Sequence, residues 1–153
     1  MKDIRIMPAC EADIPDLIEL LAVLFSIEQD FTPEPDKQRR GLTTLLASSA
    51  GHIAIARDQA SRAVGMATAQ LVISTAEGAP SAWIEDVVVR EDWRGQGLGR
   101  ALLDAVLAWA RAQGAVRAQL LADLDNAPAL AFYDRLDWQP TRLGARRLML
   151  DKN

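Results

Sequence analysis

Apolar side chains along this chain follow two different spacings. In four segments they recur every three or four positions, the pattern of a helix that buries one stripe. These predicted helices span residues 12–27, 37–47, 98–113 and 127–136. Shorter segments rich in Ile, Val, Ala and Thr suit pleated strands. These predicted strands span residues 4–7, 52–57, 64–73, 82–89 and 116–121, with a last hairpin at 138–150. The order of elements predicts an α/β or mixed α+β fold.

Length and charge narrow the class of protein. The 153 residues suffice for one ordinary core, so we expect a single domain over residues 1–153. The formal net charge of −4 argues against a nucleic-acid partner, and no apolar run reaches the ~20 residues of a membrane-spanning helix. The N-terminal residues lack the apolar stretch of a secretory signal, so a cytoplasmic protein is expected. With one cysteine and one histidine, neither an intrachain disulfide nor a His-rich metal site can form, and no metal is predicted.

The most informative stretch lies between the strongest predicted strand, residues 82–89, and the helix that follows it. It reads Arg94-Gly95-Gln96-Gly97-Leu98-Gly99-Arg100. Glycines let backbone N–H groups approach a ligand closely, and the positive end of a helix dipole favours an anion such as a pyrophosphate. The two arginines add charge-assisted donors. The loop is therefore predicted to hold a phosphorylated ligand.

Spacing distinguishes three kinds of phosphate-binding loop. A Walker loop requires Lys and then Ser or Thr after its last glycine, whereas Gly99 is followed by Arg100 and Ala101. A dinucleotide loop requires G-x-G-x-x-G, and neither Gly95 nor Gly97 begins that spacing. The pattern that remains, R-x-x-G-x-G, resembles the coenzyme A pyrophosphate loop of the GNAT N-acetyltransferase superfamily. The alternative is a flexible glycine-rich linker.

Two further segments resemble the same superfamily. Residues 84–94, which begin Ile-Glu-Asp, are similar to its fourth strand, especially that of glucosamine-phosphate N-acetyltransferases. Residues 126–138 resemble its second block, N-x-x-A-x-x-F-Y-x-x-x-G-[FW], with Asp137 at the usual glycine. Aspartate adopts the left-handed conformation less readily than glycine, which puts the local turn in question. The resemblance implies a GNAT-like fold with a central, mixed, mostly antiparallel sheet flanked by about four helices.

The resemblance also implies a binding site for acetyl-CoA, the acyl donor. The loop from Arg94 to Arg100 would bind its pyrophosphate through backbone N–H groups. The backbone of Val87, Val88 and Val89 would bind the pantetheine amides, as if the cosubstrate extended the sheet. Asn126 would contact the pantetheine or phosphate portion, cap its own helix, or do both.

Acetyl transfer to an amine requires a base and an acid. An alkylammonium with a pKa of about 10 must lose a proton before its lone pair attacks the thioester, and the departing thiolate gains one. The resemblance puts Tyr133 beside the sulfur as the proton donor; the alternative is that it packs beside Phe132. Glu85 is the first choice of base, with a water chain as the alternative. Its neighbour Asp86 points to the opposite face if the strand is regular.

The expected function is acetyl transfer from acetyl-CoA to a primary amine by direct attack in a ternary complex. The alternative is a non-catalytic module that binds and senses acyl-CoA. The acceptor stays open, and a homodimer is compatible with the family. Acidic residues around the loop between the first two helices either favour a cationic acceptor or form a solvated surface. They are Glu28, Asp30, Glu34 and Asp36.

Overall fold

The structure, a computed structural model, describes residues 3–28 and 30–151 and divides into two units, Met1–Leu120 and Leu121–Asn153. The first unit holds β1 (Arg5–Pro8), α1 (Ile14–Ile27), α2 (Pro35–Ala47), β2 (Gly51–Arg57), β3 (Ala63–Ser74), β4 (Ala79–Val89), α3 (Leu98–Ala112) and β5 (Arg117–Leu120). The second holds α4 (Ala127–Arg135). These nine predicted elements are confirmed, with ends shifted by a few residues.

The strands of the first unit form one sheet in the order β1-β2-β3-β4-β5. Every neighbouring pair is antiparallel except β4 and β5, which run parallel. The short polar turn at residues 58–62 joins β2 to β3 as a hairpin, as its composition predicts. The expected mixed, mostly antiparallel sheet is therefore confirmed.

Helices of the first unit cover both faces of this sheet. Apolar side chains of α1 and α2 form one buried cluster with Ile53, Ile55, Met66 and Val88 of the sheet. The adjacent residue Gly65 points to the opposite face, because side chains alternate along a strand. A Cβ on Gly65 would lie only 2.9 Å from Leu102 Cδ1, so the missing side chain lets α3 approach this face closely.

A cluster of charges ties the start of α1 to the end of β2. The Arg57 Nη2 atom donates to Asp13 Oδ1 and, at 3.0 Å, to Asp16 Oδ2. The backbone N–H of Cys10 donates to the other Asp13 oxygen at 2.8 Å. Burial by itself raises the pKa of Asp13, but these donors outweigh it and hold the pKa below the ordinary value. The cluster fixes α1 against the sheet through a buried, fully bonded carboxylate.

In the second unit, α4 ends in a turn that requires a left-handed residue. The N–H of Trp138 bonds to the carbonyl of Tyr133, and the N–H of Asp137 bonds to that of Asp134. This pair of bonds is a Schellman motif, in which the residue after the helix cap adopts positive φ. Asp137 has φ of 66°. The turn that glycine usually makes in the family is thus formed here by an aspartate.

The predicted hairpin at residues 138–150 is wrong. No strand lies between residues 136 and 151, all of which the structure describes. Pro140 cannot donate to a ladder, and an isolated two-stranded ribbon has little apolar surface to bury. Leu148 and Leu150 are accordingly exposed, at 82% and 93%. Over the described ranges, no helix is long and apolar enough to cross a membrane, and no group of His, Cys, Asp and Glu side chains could hold a metal ion.

Candidate active site

The glycine loop between β4 and α3 has a conformation that only glycine adopts readily. Gly95 has φ of 75° and Gly97 has φ of 80°, both in the left-handed region. A Cβ at either residue would meet no other atom within 4 Å. Glycine is therefore required at both positions by the backbone conformation, because a side chain there would have room. The exposed side of the loop is open to a ligand.

The loop turns directly into α3. Gly97 is the residue before the helix, and no side chain caps the helix start there. The N–H groups of the first turn, from Leu98 to Arg100, have no acceptor within the helix. They point outward together with the positive end of the helix dipole. This arrangement fits an anion such as a diphosphate.

Side chains on either side of the loop hold it in place. Trp93 is buried at the end of a short 3₁₀ turn, Glu91–Trp93. The Arg94 Nε atom donates to the Val89 carbonyl at 3.0 Å, so the arginine stem folds back along the end of β4. Arg100 is exposed, with its Nε atom 3.9 Å from Asp104 Oδ2 one turn later in α3. Of the two arginines predicted to assist phosphate binding, Arg94 thus lies before the start of α3 and Arg100 lies in its first turn.

Beyond its midpoint, β4 has no strand partner on its β5 side. The parallel ladder with β5 ends at Ile84 and Leu120, while β4 continues to Val89. The other edge of β4 stays paired with β3 as far as Val89. Within the first unit, β5 therefore does not pair with the backbone of residues 85–89, where the Val89 carbonyl accepts from Arg94 Nε instead. This is the edge along which the sequence predicts that pantetheine extends the sheet.

The ladder between β3 and β4 is interrupted at Asp86. Thr68 pairs with Glu85, and the next pair is Met66 with Val88. The ladder therefore skips one residue on β3 but two on β4. The extra residue makes a β-bulge, and Asp86 has φ of 54°. The expectation that Asp86 points away from the face of Glu85 assumed a regular strand. The structure corrects it, because the Asp86 carboxylate bonds to Thr68, the residue paired directly with Glu85.

Burial of Asp86 changes its acidity. The Thr68 hydroxyl, on a residue only 1% exposed, donates to Asp86 Oδ2 at 3.0 Å. Burial, together with a smaller effect of the Glu85 charge, raises the pKa of Asp86 to about 6, although the Thr68 hydrogen bond acts to lower it. A carboxyl with that pKa exchanges protons readily near neutral pH. Sequence reasoning considered Asp86 only as a residue facing away from the acceptor.

Glu85, the predicted base, lies in a different environment. Its side chain is exposed, and its Oε1 atom accepts a hydrogen bond from the Trp83 indole at 2.8 Å. Trp83 and Glu85 are two residues apart on β4 and so share one face of the sheet. Glu85 lies next to Asp86 and two residues before Val87 on β4. Its role as a base stays a prediction.

Tyr133 lies in α4 of the second unit, and Asn126 lies just before that helix. Asn126 precedes the helix, and its Oδ1 atom accepts from the Ala129 N–H at 3.2 Å, so the capping role is confirmed. The Tyr133 ring is half-buried between Phe132 and Trp138, with ring centroids 5.2 Å and 6.0 Å away. The predicted contact of Asn126 with acetyl-CoA and the predicted proton transfer from Tyr133 stay predictions.

The acidic residues at the start of α2 lie among basic ones. Lys37 Nζ lies 3.0 Å from Glu34 Oε2. An open depression of about 440 Å³ is lined by Glu34, Asp36, Lys37 and Arg40 together with Pro35. It contains two acidic and two basic side chains, as an ordinary solvated surface does. This arrangement favours the solvated interpretation of that loop.

A comparison with known families identifies the family of this chain. The sequence model of the Acetyltransferase (GNAT) family matches residues 15–138, which include the glycine loop, both carboxylates of β4 and α4. The match covers most of the chain. The chain therefore belongs to the GNAT acetyltransferase family.

Individual relatives share part of the sequence or the whole fold. The chain is 35% identical over 85 residues to the aminoglycoside N(6')-acetyltransferase type 1 of Stenotrophomonas maltophilia; the match covers 54% of this chain and 56% of that protein. An aminoglycoside 6'-N-acetyltransferase from Acinetobacter baumannii has a similar structure, with TM-score 0.79, 22% identity and 99% of each chain covered. So does a possible acetyltransferase from Clostridium difficile 630, with TM-score 0.83, 17% identity and coverage of 97% and 98%. At these identities the two structures establish the fold alone.

Proposed function

We propose that the protein transfers an acetyl group from acetyl-CoA to a primary amine by direct attack in a ternary complex. One observation carries this proposal: a glycine loop in left-handed conformation opens the first turn of α3 beside a strand edge that β5 leaves unpaired. A diphosphate suits the first and the amides of pantetheine suit the second. Family membership supports the same donor.

Residues 1–153 work as one acyltransferase domain in this proposal. The family match runs from residue 15 to residue 138, so it continues across the boundary between the two units at residue 120. The glycine loop and the backbone of residues 87–89 belong to the first unit, whereas Asn126 and Tyr133 belong to the second. Both units are therefore required for the reaction.

The proposed reaction moves protons from the acceptor ammonium to a base and from Tyr133 to the departing thiolate. The acceptor ammonium first loses a proton to a base on β4, and its nitrogen then attacks the thioester carbonyl carbon. As the C–N bond forms and the C–S bond breaks, the departing thiolate takes a proton from the Tyr133 hydroxyl. The second proton of the amine returns to Tyr133 through solvent. The products are the N-acetyl amine, coenzyme A as a free thiol, and one proton.

For the acceptor we propose a small polycationic amine, of which aminoglycosides are one class. The partial identity to an aminoglycoside acetyltransferase supports this choice. The exposed Glu85 carboxylate next to Asp86 supplies negative charge at the reacting strand. A cation is attracted to such a pair more strongly than a neutral amine is.

The experiment is release of free thiol from acetyl-CoA with a panel of amines. The panel contains an aminoglycoside, a linear polyamine, a monoamine and a lysine-containing peptide. We expect turnover with the polycations and a much lower kcat/KM with the monoamine and the peptide. Preference for the peptide would contradict the acceptor class. Tight binding of acetyl-CoA without turnover of any amine would favour the alternative, a non-catalytic acyl-CoA sensor.

The role of Tyr133 is tested by removing only its hydroxyl. Tyr133→Phe should lower kcat at least about tenfold and leave acetyl-CoA affinity unchanged, because general acid catalysis contributes about a hundredfold or more. Phe132→Leu serves as the matched packing control, since that ring lies 5.2 Å from Tyr133. Equal effects of the two changes would mean that Tyr133 only packs.

A further inference from the structure

The two carboxylates of β4 differ in their surroundings more than their adjacency in sequence suggests. Glu85 is exposed and accepts a hydrogen bond from an indole. Asp86 is half-buried in a bulge and accepts a hydrogen bond from the hydroxyl of Thr68. A carboxylate accepts protons best when its ionised form is poorly solvated, because its pKa then rises towards neutral pH. The surroundings of Asp86 meet this condition.

Backbone strain at Asp86 gives a second argument. Its φ of 54° is a conformation that glycine adopts without cost, while a non-glycine residue pays roughly 1 kcal/mol or more there. The bulge lies where the ladder with β5 has already ended. A carboxylate is thus retained at a position where glycine would be more stable. Such strain persists where the side chain has a use.

Electrostatic partners of Asp86 give a third argument. Among residues 3–28 and 30–151, Asp86 forms no ion pair, and the groups that act on its carboxyl are the Thr68 hydroxyl from β3 and the Glu85 carboxylate from β4. Neither of them neutralises the carboxylate. An acceptor ammonium would supply the missing positive charge and, in doing so, give up a proton.

We propose that Asp86, and not Glu85, is the catalytic residue that accepts the proton from the acceptor amine, with Thr68 as its positioning residue. The proposal rests on the proposed function of the protein. The N–H bond of the ammonium breaks, its proton joins an Asp86 oxygen, and its electron pair stays on nitrogen for attack on the thioester. Asp86 then releases that proton to solvent. Glu85 binds the cationic acceptor without accepting its proton.

The test compares variants of the two carboxylates in the full-length protein over a range of pH. Asp86→Asn, which tolerates left-handed φ, should lower kcat with the best amine of the panel by about a hundredfold or more. Glu85→Gln should mainly raise KM. In the native chain, turnover should fall as pH drops through about 6, because Asp86 becomes protonated. Thr68→Val should move that fall to higher pH, since the hydrogen bond that lowers the pKa of Asp86 is lost.

Each outcome supports or overturns the proposal. Loss of turnover in Asp86→Asn with unchanged acetyl-CoA affinity supports it, and Asp86→Gly, which removes the backbone strain, must lose turnover equally. Native-like turnover in Asp86→Asn overturns the assignment while leaving the acetyltransferase intact. A selective kcat loss in Glu85→Gln makes Glu85 the base. A native chain that turns over no amine overturns the function and the assignment together.

Discussion

Replacing Asp86 by asparagine removes a carboxyl whose ionisation opposes folding. Burial and the charge of Glu85 raise its pKa from 3.8 to about 6, despite the opposite effect of the Thr68 hydrogen bond. The ionised form is therefore less favourable in the folded protein than in the unfolded chain. Stability is lost as the pH rises from the unfolded pKa to the folded one, and the loss is complete above it.

The size of this effect follows from the two pKa values. Each unit of pKa corresponds to about 1.4 kcal/mol, so ionisation of Asp86 costs at most about 3 kcal/mol at about pH 8. Close to pH 4.5 the folded carboxyl is mostly protonated, and the remaining cost is about 1 kcal/mol. Asp86→Asn should thus gain up to about 2 kcal/mol more stability at the higher pH. Solvent screening at a half-buried side chain makes this an upper value.

Urea unfolding followed by tryptophan fluorescence measures this difference. The native chain and Asp86→Asn are compared at about pH 4.5 and about pH 8, so that any effect of the amide that does not depend on pH cancels. Asp104→Asn, an exposed carboxylate on α3, is the control and should show no such gain. A gain that is equal at both pH values, or a loss that grows with pH, would refute the reasoning that Asp86 is poorly solvated.

Three further substitutions test other parts of the structure. Asp137→Gly should stabilise the protein by up to about 1 kcal/mol in thermal or urea unfolding, because φ of 66° costs glycine nothing; no gain would mean that the aspartate makes a compensating bond. Gly97→Ala should cost about 1 kcal/mol and weaken coenzyme A binding in calorimetry, whereas the control Gly41→Ala, within α2 and in open space, should stabilise by about 0.5–1 kcal/mol. Asp13→Asn should destabilise by about 1–3 kcal/mol at neutral pH, since it loses the charge-assisted bond from Arg57. The pKa of Asp13 is lowered by folding, so this deficit should shrink as the pH falls below about 4, and a constant deficit would contradict its origin.

The local elements of this fold could be predicted because their causes lie within short segments. Apolar residues at helical spacing mark α1 and α3, and branched side chains mark β4. The glycine loop could be predicted for the same reason, since a strand, two closely spaced glycines and a helix start follow one another along the chain. Two of its three glycines, Gly95 and Gly97, adopt the left-handed conformation.

The C-terminal segment shows where local patterns mislead. Residues 138–150 were predicted to form a hairpin, yet a two-stranded ribbon gains stability only from a surface to cover, and Pro140 interrupts its ladder. The unusual Asp137 nevertheless adopts the left-handed turn of the family. The bonds of the helix end outweigh the preference of one residue for another conformation.

By itself the sequence determined nine strands and helices, the position of the glycine loop and the family, because each depends on residues close together in the chain. The tertiary structure alone decided the character of Asp86. The bulge arises from the register between β3 and β4, the hydrogen bond comes from Thr68, eighteen residues away, and the raised pKa comes from burial by packed elements. A period-two pattern places Asp86 on the wrong face, since no spacing within a strand reveals where its partner strand skips a residue.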